Sequence, residues 1–183
     1  MEKVREFAEK AHDGQKRKYT GEKFIRHPER VKDIVSEYTS DRALLAAALL
    51  HDVLEDTDVT GEELKAFLYS VMDGELAERT YQLVVDLTDV YTKADYPNLN
   101  RLKRKRKDAE RLKMARPNAQ TVKYADAIDN ALDIVKNDRD FARVFLNECS
   151  YLVSMMDKGH PRLRQRAEKV ISECLDKLRN AER

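Results

Sequence analysis

Apolar residues recur at helical spacing along most of the chain, which predicts a protein built from amphipathic helices. A first helix carries Phe7, Ala8 and Ala11 on one face and ends near Gly14, and Pro28 suits the first turn of a second helix. Later segments show the same periodicity: 75–90, 98–114, 119–136, 138–157 and 161–181. We therefore expect an all-α fold, a single compact helical bundle.

The most apolar segment, Asp41 to Asp56, predicts a central helix. Leu44 to Leu50 is apolar on every side, whereas a helix at the surface keeps a polar face. The next helix is predicted to begin at a capping box formed by Thr60 and Glu63. We therefore expect the core to be organised around the helix that spans 41–56.

This helix ends in four residues that carry chemistry: His51, Asp52, Glu55 and Asp56. Because residues four apart share a helix face, the two acids of the last turn would stack beside His51 and Asp52. Burying an unpaired carboxylate costs several kcal/mol, whereas a divalent cation supplies the missing positive charge. The group therefore favours a metal site. The alternative, usual for an isolated His-Asp pair, is a helix that ends at the surface with its acids in water.

Further metal ligands must come from other parts of the chain. Because adjacent residues point about 100° apart on a helix, His51 and Asp52 can share one ion only if it lies between this helix and others. His27 stands directly before Pro28 at a predicted helix start, and Asp126 lies in Lys-Tyr-Ala-Asp-Ala-Ile-Asp-Asn. Apolar neighbours give the helix of Asp126 a face that would pack centrally and bring its carboxylate to the ion.

Composition and charge narrow the class of protein. The chain has 183 residues, enough for one domain with a substantial core, and we expect a single domain over 1–183. Charged residues make up 38% but the net charge is only +1, so charge does not favour nucleic acid or a membrane as a general partner. The charged start is no secretory signal, and no apolar run reaches the ~18 residues that span a bilayer. Cys149 and Cys174 lack zinc-type spacing, so we expect free thiols in a cytoplasmic protein.

Four segments together resemble a known family. They are Ala-His-Asp-Gly-Gln-Lys-Arg-Lys at 11–18, Phe-Ile-Arg-His-Pro at 24–28, Ala-Leu-Leu-His-Asp-Val-Leu-Glu-Asp-Thr at 48–57 and Lys-Tyr-Ala-Asp at 123–126. They resemble the ordered signature of HD-superfamily phosphohydrolases, and in particular the hydrolase domain of RelA/SpoT-type alarmone enzymes and small alarmone hydrolases such as the metazoan SpoT homologue. The resemblance covers about residues 3–135. Residues 138–183 are expected to complete the core or an oligomer interface.

The resemblance implies a divalent ion, typically manganese, and a ligand set for it: His27, His51, Asp52 and Asp126. Two imidazoles and two carboxylates suit Mn, Fe, Co or Zn, so the ligand types alone do not fix the metal. Glu55 and Asp56 match the family's pair that orients and deprotonates the attacking water. This role is chemically sound, because a metal lowers the pKa of bound water toward ~7 and a nearby carboxylate can take the proton.

The implied reaction is hydrolysis of the 3′-pyrophosphate of guanosine tetra- or pentaphosphate, which releases pyrophosphate and GDP or GTP. Arg17 and Lys18 match a basic pair that lies against guanine and ribose in the family, and Asn130 matches a residue that holds the sugar or phosphate end. The alternative for the basic pair is a solvated loop. His12, in Ala-His-Asp-Gly-Gln, is expected to make a hydrogen bond behind the ligands rather than bind the ion.

Residues 101–116 contain nine lysines and arginines, for which three interpretations stand. A solvated helix face is the usual meaning of such a run, and nucleic-acid binding is another. The resemblance implies a third, in which Arg104, Lys105 and Arg106 lie near the mouth of the site and attract a polyanionic nucleotide. We favour the third interpretation, with a small nucleotide rather than nucleic acid as the partner.

Two positions depart from the family pattern. Ala127 stands where the family often has Arg or Lys, and Asp133 stands where an Arg is common. The loss of two positive charges leaves two other functions open: an HD phosphohydrolase of another nucleotide, such as an adenosine alarmone or a dinucleotide phosphate, and a degenerate nucleotide-binding sensor. The presence of Glu55 and Asp56 favours an enzyme, because a protein that only binds a nucleotide has no use for a water-activating pair.

Overall fold

The structure, a computed structural model, describes residues 1–180. Within this range the chain forms ten helices: α1 (Glu2–Ala11), α2 (Arg26–Ser36), α3 (Arg42–Leu50), α4 (Val53–Asp56), α5 (Gly61–Val71), α6 (Gly74–Leu87), α7 (Arg101–Met114), α8 (Pro117–Asn137), α9 (Arg139–Met155) and α10 (Pro161–Asn180). The all-α prediction is confirmed. The end predicted for the last helix, at 181, lies outside the described residues. None of the ten helices is long and apolar enough to cross a membrane.

The helices fall into two compact units, Met1–Thr88 and the part that begins at Asp89, and the single-domain organisation over 1–183 stays a prediction. In the first unit, α3 packs against α1, α2 and α6, and α6 also packs against α5. Every residue from Ala46 to Leu50 in α3 is at most 3% exposed. The central, buried helix predicted from the apolar run is therefore confirmed for α3.

Side-chain caps fix where two helices of the first unit begin. Asp41 accepts a hydrogen bond from the Ala43 N–H at 2.9 Å at the start of α3. The predicted capping box at α5 is present: the Thr60 hydroxyl accepts from the Glu63 N–H at 3.2 Å, and the Glu63 carboxylate accepts from the Thr60 N–H at 2.8 Å. These bonds satisfy amide groups that a helix start leaves without partners. The segment that carries the chemistry is thus enclosed between two well-defined helices.

The prediction of one continuous helix over 41–56 is wrong. The helix α3 ends at Leu50 and α4 begins at Val53, with His51 and Asp52 in the turn between them. His51 has φ −60° and ψ −29°, and Asp52 has φ −94° and ψ −7°, so the backbone departs only slightly from a helix. The apolar periodicity runs through the turn and cannot reveal it. His51 and Asp52 therefore lie in a tight turn that joins two helices.

In the second unit, α8 packs against α9 and α10, and α7 packs against α9. Tyr124 of α8 is fully buried, and its hydroxyl donates a hydrogen bond to the Met156 carbonyl at 2.8 Å. The connection between α9 and α10 lies directly on α8 at Gly159, where a Cβ would be 2.5 Å from a ring carbon of Tyr124 and 2.9 Å from the Thr121 nitrogen. Glycine is therefore required by close approach at this position.

Candidate metal centre

His51 is oriented by a hydrogen bond to its own helix. Its Nδ1 lies 2.8 Å from the Ala48 carbonyl oxygen. A carbonyl only accepts hydrogen bonds, so Nδ1 carries the proton and Nε2 of the neutral ring keeps its lone pair. This Nε2 lies 3.1 Å from Oδ1 of Asp52. The helix end therefore presents an imidazole lone pair and a carboxylate oxygen side by side.

His27 brings a second imidazole to the same carboxylate from the first turn of α2. Its Nε2 lies 3.5 Å from Oδ2 of Asp52. The rings of His27 and His51 meet edge to face, with centroids 5.2 Å apart. One ligand atom from each of the three residues lies within 4.8 Å of the other two. The structure thus brings together three of the four predicted metal ligands.

The chemistry of this cluster fits a divalent cation. At 3.1 Å, the acceptor nitrogen of His51 and the Asp52 oxygen repel one another unless a proton or a metal ion lies between them. His27 and His51 are each only 1% exposed, so water compensates little of that repulsion. A divalent ion would join all three groups at once, and two imidazoles with a carboxylate are a suitable donor set for it. The described residues therefore hold a candidate metal site.

Glu55 and Asp56 lie on α4, the single turn that follows Asp52. The N–H groups of both acids donate to the Asp52 carbonyl, at 3.2 and 2.8 Å. Both side chains are exposed, whereas Val53 on the same turn is buried. Glu55 and Asp56, the water-activating pair that the resemblance implies, therefore follow the metal cluster closely in the chain and are exposed to solvent. Its action on water stays a prediction.

Asp126 lies in α8 of the second unit and is 6% exposed. Lys123 Nζ is 2.9 Å from its Oδ2, and Asn130 Nδ2 donates to its Oδ1 at 2.5 Å. These two neighbours, one turn before and one turn after on the helix, hold the carboxylate in one orientation. The role of Asp126 as fourth ligand and that of Asn130 in substrate binding stay predictions.

Arg17 and Lys18 lie in a hairpin-like loop, residues 15–24, which we call the basic loop. Backbone hydrogen bonds pair its two arms, and Gly21 turns the chain with a φ of 69°, a conformation that favours glycine. The guanidinium of Arg17 lies 5.9 Å from the centroid of the Phe24 ring and is half-buried, whereas Lys18 is exposed. The fold therefore holds the loop in a defined conformation, and its contact with a nucleotide stays a prediction.

The three cations predicted at the mouth of the site lie on α7. Arg104 donates to a backbone carbonyl of the preceding loop. Lys105 Nζ lies 2.6 Å from a carboxylate oxygen of Asp89, and the Arg106 guanidinium lies 5.8 Å from the centroid of the Tyr151 ring. Lys105, Arg106 and Tyr151 line a pocket of about 440 Å³. The cations are thus held by local partners, and their contact with substrate stays a prediction.

The sequence did not identify two aspartates that organise this part of the second unit. Burial would raise the pKa of Asp89, but the charges of Lys123 and Lys105 hold it below its usual value. Asp108 is 3% exposed and accepts hydrogen bonds from two successive N–H groups of the loop after α6, at 3.1 and 3.2 Å. Burial, and then the nearby Asp89, raise the pKa of Asp108. Partners that lie 16 to 18 residues away leave no local sequence signal.

Comparison with known proteins assigns the chain to a family. The family pattern described as HD domain matches residues 5–148. A guanosine-3′,5′-bis(diphosphate) 3′-pyrophosphohydrolase of Aquifex aeolicus is 41% identical over 90 residues, 49% of this chain and 12% of that protein. The human protein of the same name, MESH1, is 34% identical over 132 residues, 70% of this chain and 66% of that protein. The matched part of the chain therefore spans less than two thirds of either relative.

A solved structure shares the fold. It is described as a metazoan ortholog of SpoT that hydrolyzes ppGpp, and it superimposes with a TM-score of 0.79 at 23% identity, over 94% of this chain and 93% of that one. The histidine–aspartate pair at the end of α3 and its second histidine in α2 lie inside the matched range. With this cluster and a family match over most of its length, the chain belongs to the HD domain family.

Proposed function

We propose that this protein is a metal-dependent hydrolase that removes the 3′-pyrophosphate from guanosine tetra- and pentaphosphate. The products are pyrophosphate and GDP or GTP. One observation carries the proposal: the cluster of His27, His51 and Asp52 belongs to a chain that is 34% identical over 132 residues to a human enzyme named for this reaction. The acids Glu55 and Asp56 on the adjoining turn supply the groups that hydrolysis requires.

The resident ion is proposed to be Mn²⁺, with Asp126 as a fourth ligand. Two histidines and two aspartates form a mixed nitrogen and oxygen set that suits this ion, among others. A divalent ion in such a site polarises water and phosphoryl oxygens, which promotes attack on phosphorus. The hydrogen bond from His51 Nδ1 to the Ala48 carbonyl keeps the ring in the tautomer that a ligand needs.

Glu55 and Asp56 are proposed to accept the proton of the attacking water. Water attacks the phosphorus joined to the 3′ oxygen, its proton passes to Glu55 or Asp56, and the bond from that phosphorus to the 3′ oxygen breaks. The 3′ oxygen leaves as a hydroxyl after protonation, so one water is consumed for each pyrophosphate released. A carboxylate in reach of the water is suited to this step, and such general bases contribute ~10²–10⁴-fold to rates.

Charged side chains at two places are proposed to hold the nucleotide. Arg17 can stack its planar guanidinium on a base, and Lys18 can approach the ribose or a phosphate. Asn130 is proposed to hold the sugar or phosphate end, while Arg104, Lys105 and Arg106 attract the phosphates. The two positions that depart from the family pattern, Ala127 and Asp133, supply no positive charge. Ala127 is 3% exposed within α8, and Asp133 accepts a hydrogen bond from Asn137 at 2.8 Å.

The experiment is a product analysis with a panel of nucleotides. Purified, manganese-loaded protein is incubated with guanosine and adenosine 3′-pyrophosphates and with dinucleotide phosphates, and chelator-treated protein serves as the control. We expect pyrophosphate together with GDP or GTP, and no product after chelation. Turnover of an adenosine or dinucleotide substrate alone would replace the proposed substrate. Nucleotide binding without turnover of any compound would make the protein a sensor.

A further inference from the structure

His12 lies behind the metal cluster and is held by packing. It is 3% exposed, and its ring stacks on Phe24 with centroids 4.4 Å apart. The Phe24 ring meets His27 edge to face at 6.2 Å. His12 does not belong to the group of ligand atoms formed within residues 1–180. Its ring is therefore linked to the cluster through Phe24 and not by coordination.

Two hydrogen bonds connect His12 to the turn that carries the acids. Gln15 Nε2 donates to the Asp56 carbonyl oxygen at 2.7 Å, and Gln15 Oε1 lies 2.9 Å from His12 Nδ1. The Asp56 carbonyl only accepts, so the Gln15 amide must turn its nitrogen toward it and its oxygen toward His12. His12 Nδ1 then carries the proton. The hydrogen bonds run in one direction, from His12 to Gln15 and from Gln15 to Asp56.

The helix α4 needs such support because it is very short. It has four residues, and a single turn is not stable by itself. The last carbonyls of a helix lack partners within the helix. Thr57 bonds one of them, the Val53 carbonyl, through its hydroxyl at 2.7 Å, and Gln15 bonds another, that of Asp56. Gln15 therefore bonds the turn at the carbonyl of its last residue.

A buried histidine at position 12 reduces stability unless the hydrogen bond of its Nδ1 compensates. Its Nε2 is buried and finds no hydrogen-bond partner among the described residues. Leaving a buried polar atom without a partner costs about 1–3 kcal/mol. A phenyl ring could make the same stack on Phe24 without this cost. The hydrogen bond to Gln15 is what distinguishes histidine from phenylalanine at this position.

We propose that His12 and Gln15 are positioning residues, which hold the Glu55–Asp56 turn in its working orientation through the Asp56 carbonyl. This inference rests on the proposed function, in which the two acids act on water. The pair of hydrogen bonds sets the direction of the carboxylates, and it involves neither a side chain of the metal cluster nor the two cations of the basic loop. Loss of either bond therefore reduces the rate of the chemical step rather than the binding of metal or nucleotide.

The test uses variants that remove one donor and keep the shape. Gln15→Met keeps the length of the side chain without the amide, and His12→Phe keeps the ring stack without Nδ1. His12→Asn restores a donor near the position of Nδ1. Gln82→Met is the matched control, because the Gln82 amide also donates a side-chain hydrogen bond, to Glu78 at 2.9 Å on α6. The measurements are kcat, KM, metal content and hydrogen–deuterium exchange of residues 52–58, all on full-length, metal-loaded protein.

We expect kcat to fall about 10–100-fold in Gln15→Met and His12→Phe, as for other residues that orient a site from behind. Exchange in 52–58 should rise in both, while KM and metal content match the wild type. His12→Asn should recover part of kcat, and Gln82→Met should match the wild type throughout. An unchanged kcat, or unchanged exchange in 52–58, would overturn the proposal, and so would an equal loss of metal. If the wild type hydrolyses none of the nucleotides, the proposed function fails, and the exchange in 52–58 decides the positioning role alone.

Discussion

The proposed metal ligand His51 is oriented by a hydrogen bond that leaves the lone pair of its Nε2 available. Nδ1 of His51 donates to the Ala48 carbonyl, so Nε2 is the ring nitrogen whose lone pair can bind a metal in the neutral ring. His27 and Asp52 lie within reach of the same point. A ligand set of this kind loses affinity steeply when one member is removed, because the remaining groups cannot rearrange inside a packed core.

The first prediction is that His51→Ala and Asp126→Ala abolish binding of the ion. His51 supplies one of the three clustered ligand atoms, and Asp126 is proposed as the fourth ligand. Elemental analysis of purified protein should find about one divalent ion per chain in the wild type and almost none in either variant. His160→Ala, which changes a histidine of the loop before α10, should keep full metal content. Full occupancy in His51→Ala would exclude the site, and full occupancy in Asp126→Ala alone would exclude the fourth ligand.

The second prediction is that Glu55→Gln and Asp56→Asn keep metal and nucleotide but lose most turnover. Both side chains are exposed, so the changes should hardly alter the free energy of unfolding. The loss in kcat should be ~10²–10⁴-fold, the usual contribution of a general base. Asp58→Asn, at an exposed acid two residues further on, is the control and should match the wild type. Unchanged rates in both variants would show that another group activates the water.

The third prediction is that Arg17→Ala and Lys18→Ala raise KM without loss of metal. The basic loop holds both cations near one another, and a hydrogen bond to a charged group contributes about 1.5–3 kcal/mol. KM should therefore rise about tenfold or more in each variant, with kcat changed less. Lys16→Ala, at an exposed lysine of the same loop, should have little effect. Equal KM values for wild type and both variants would make the loop a solvated one.

At the scale of elements, the connection between α9 and α10 is held firmly against α8. Two of its backbone N–H groups donate to side chains of α8: that of Lys158 to Gln120 at 2.8 Å and that of His160 to Thr121 at 2.9 Å. Gly159 lies between these two bonds, where the backbone of α8 leaves no space for a side chain. The helix that carries Asp126 is thus clamped at its beginning.

The fourth prediction is that Gly159→Ala lowers the free energy of unfolding by about 1–3 kcal/mol, the usual cost of overpacking. A Cβ at 2.9 Å from a backbone nitrogen must displace the loop, because the helix cannot yield. Gly74→Ala is the control, since its Cβ would lie 3.7 Å from a ring carbon of Tyr69, an ordinary contact. Urea denaturation of the two variants measures the difference. Equal stability of Gly159→Ala and wild type would show that the loop is free to move.

The sequence predicted elements well where one local signal decides them. Thr60 and Glu63 form their capping box as expected, and the apolar run from Leu44 to Leu50 lies in a buried helix. The break after Leu50 was missed, because both turn residues keep nearly helical backbone angles while the apolar pattern continues into Val53. The pattern of apolar and polar residues predicts which positions are buried. It does not predict a single hydrogen bond, such as that from the His51 ring to the Ala48 carbonyl.

Only part of the candidate site was predicted, because only some of its residues lie in local sequence motifs. The types and order of His27, His51 and Asp52 were visible in the sequence, and the structure brings them together. The link from Gln15 to Asp56 joins residues 41 apart, and no local pattern contains it. Contacts of this range depend on how helices pack, so only the fold could show them.

For the whole molecule, a net charge of +1 conceals an uneven distribution along the chain. The segment 101–116 carries nine basic residues. A polyanionic substrate responds to such a local concentration of charge before contact, because charges attract over the Debye length, ~30 Å at 0.01 M salt and ~8 Å at physiological salt. Association should therefore depend on salt although the net charge is almost zero.

The fifth prediction is that Arg104→Gln with Arg106→Gln lowers kcat/KM and flattens its salt dependence. Lys105 stays in place in this variant, because its removal would leave the carboxylate of Asp89 without its 2.6 Å partner. Raising salt from low to physiological levels should reduce kcat/KM in the wild type and much less in the double variant. Metal content should not change.

The control for this prediction has the same change in net charge. Lys103→Gln with Lys113→Gln removes two exposed cations of the same helix and should keep the salt dependence of the wild type. If the two double variants behave alike, the effect belongs to total charge and not to the pocket beside Arg106. If neither differs from the wild type at any salt concentration, the segment is a solvated helix face.

The proposed ligands are buried and other site residues are exposed, and this difference determines which substitutions the protein tolerates. His27 and His51, the proposed ligands, are 1% exposed and lie within the packed core, so most substitutions there should reduce stability along with metal binding. Lys18, Glu55 and Asp56 are exposed, and substitutions at such positions usually alter stability by less than ~0.5 kcal/mol. Mutational libraries at Lys18 should therefore yield folded, metal-loaded proteins with altered substrate preference, and libraries at Glu55 and Asp56 should yield folded, metal-loaded proteins with little turnover. Libraries at the proposed ligand positions should yield mostly proteins of reduced stability that bind little metal.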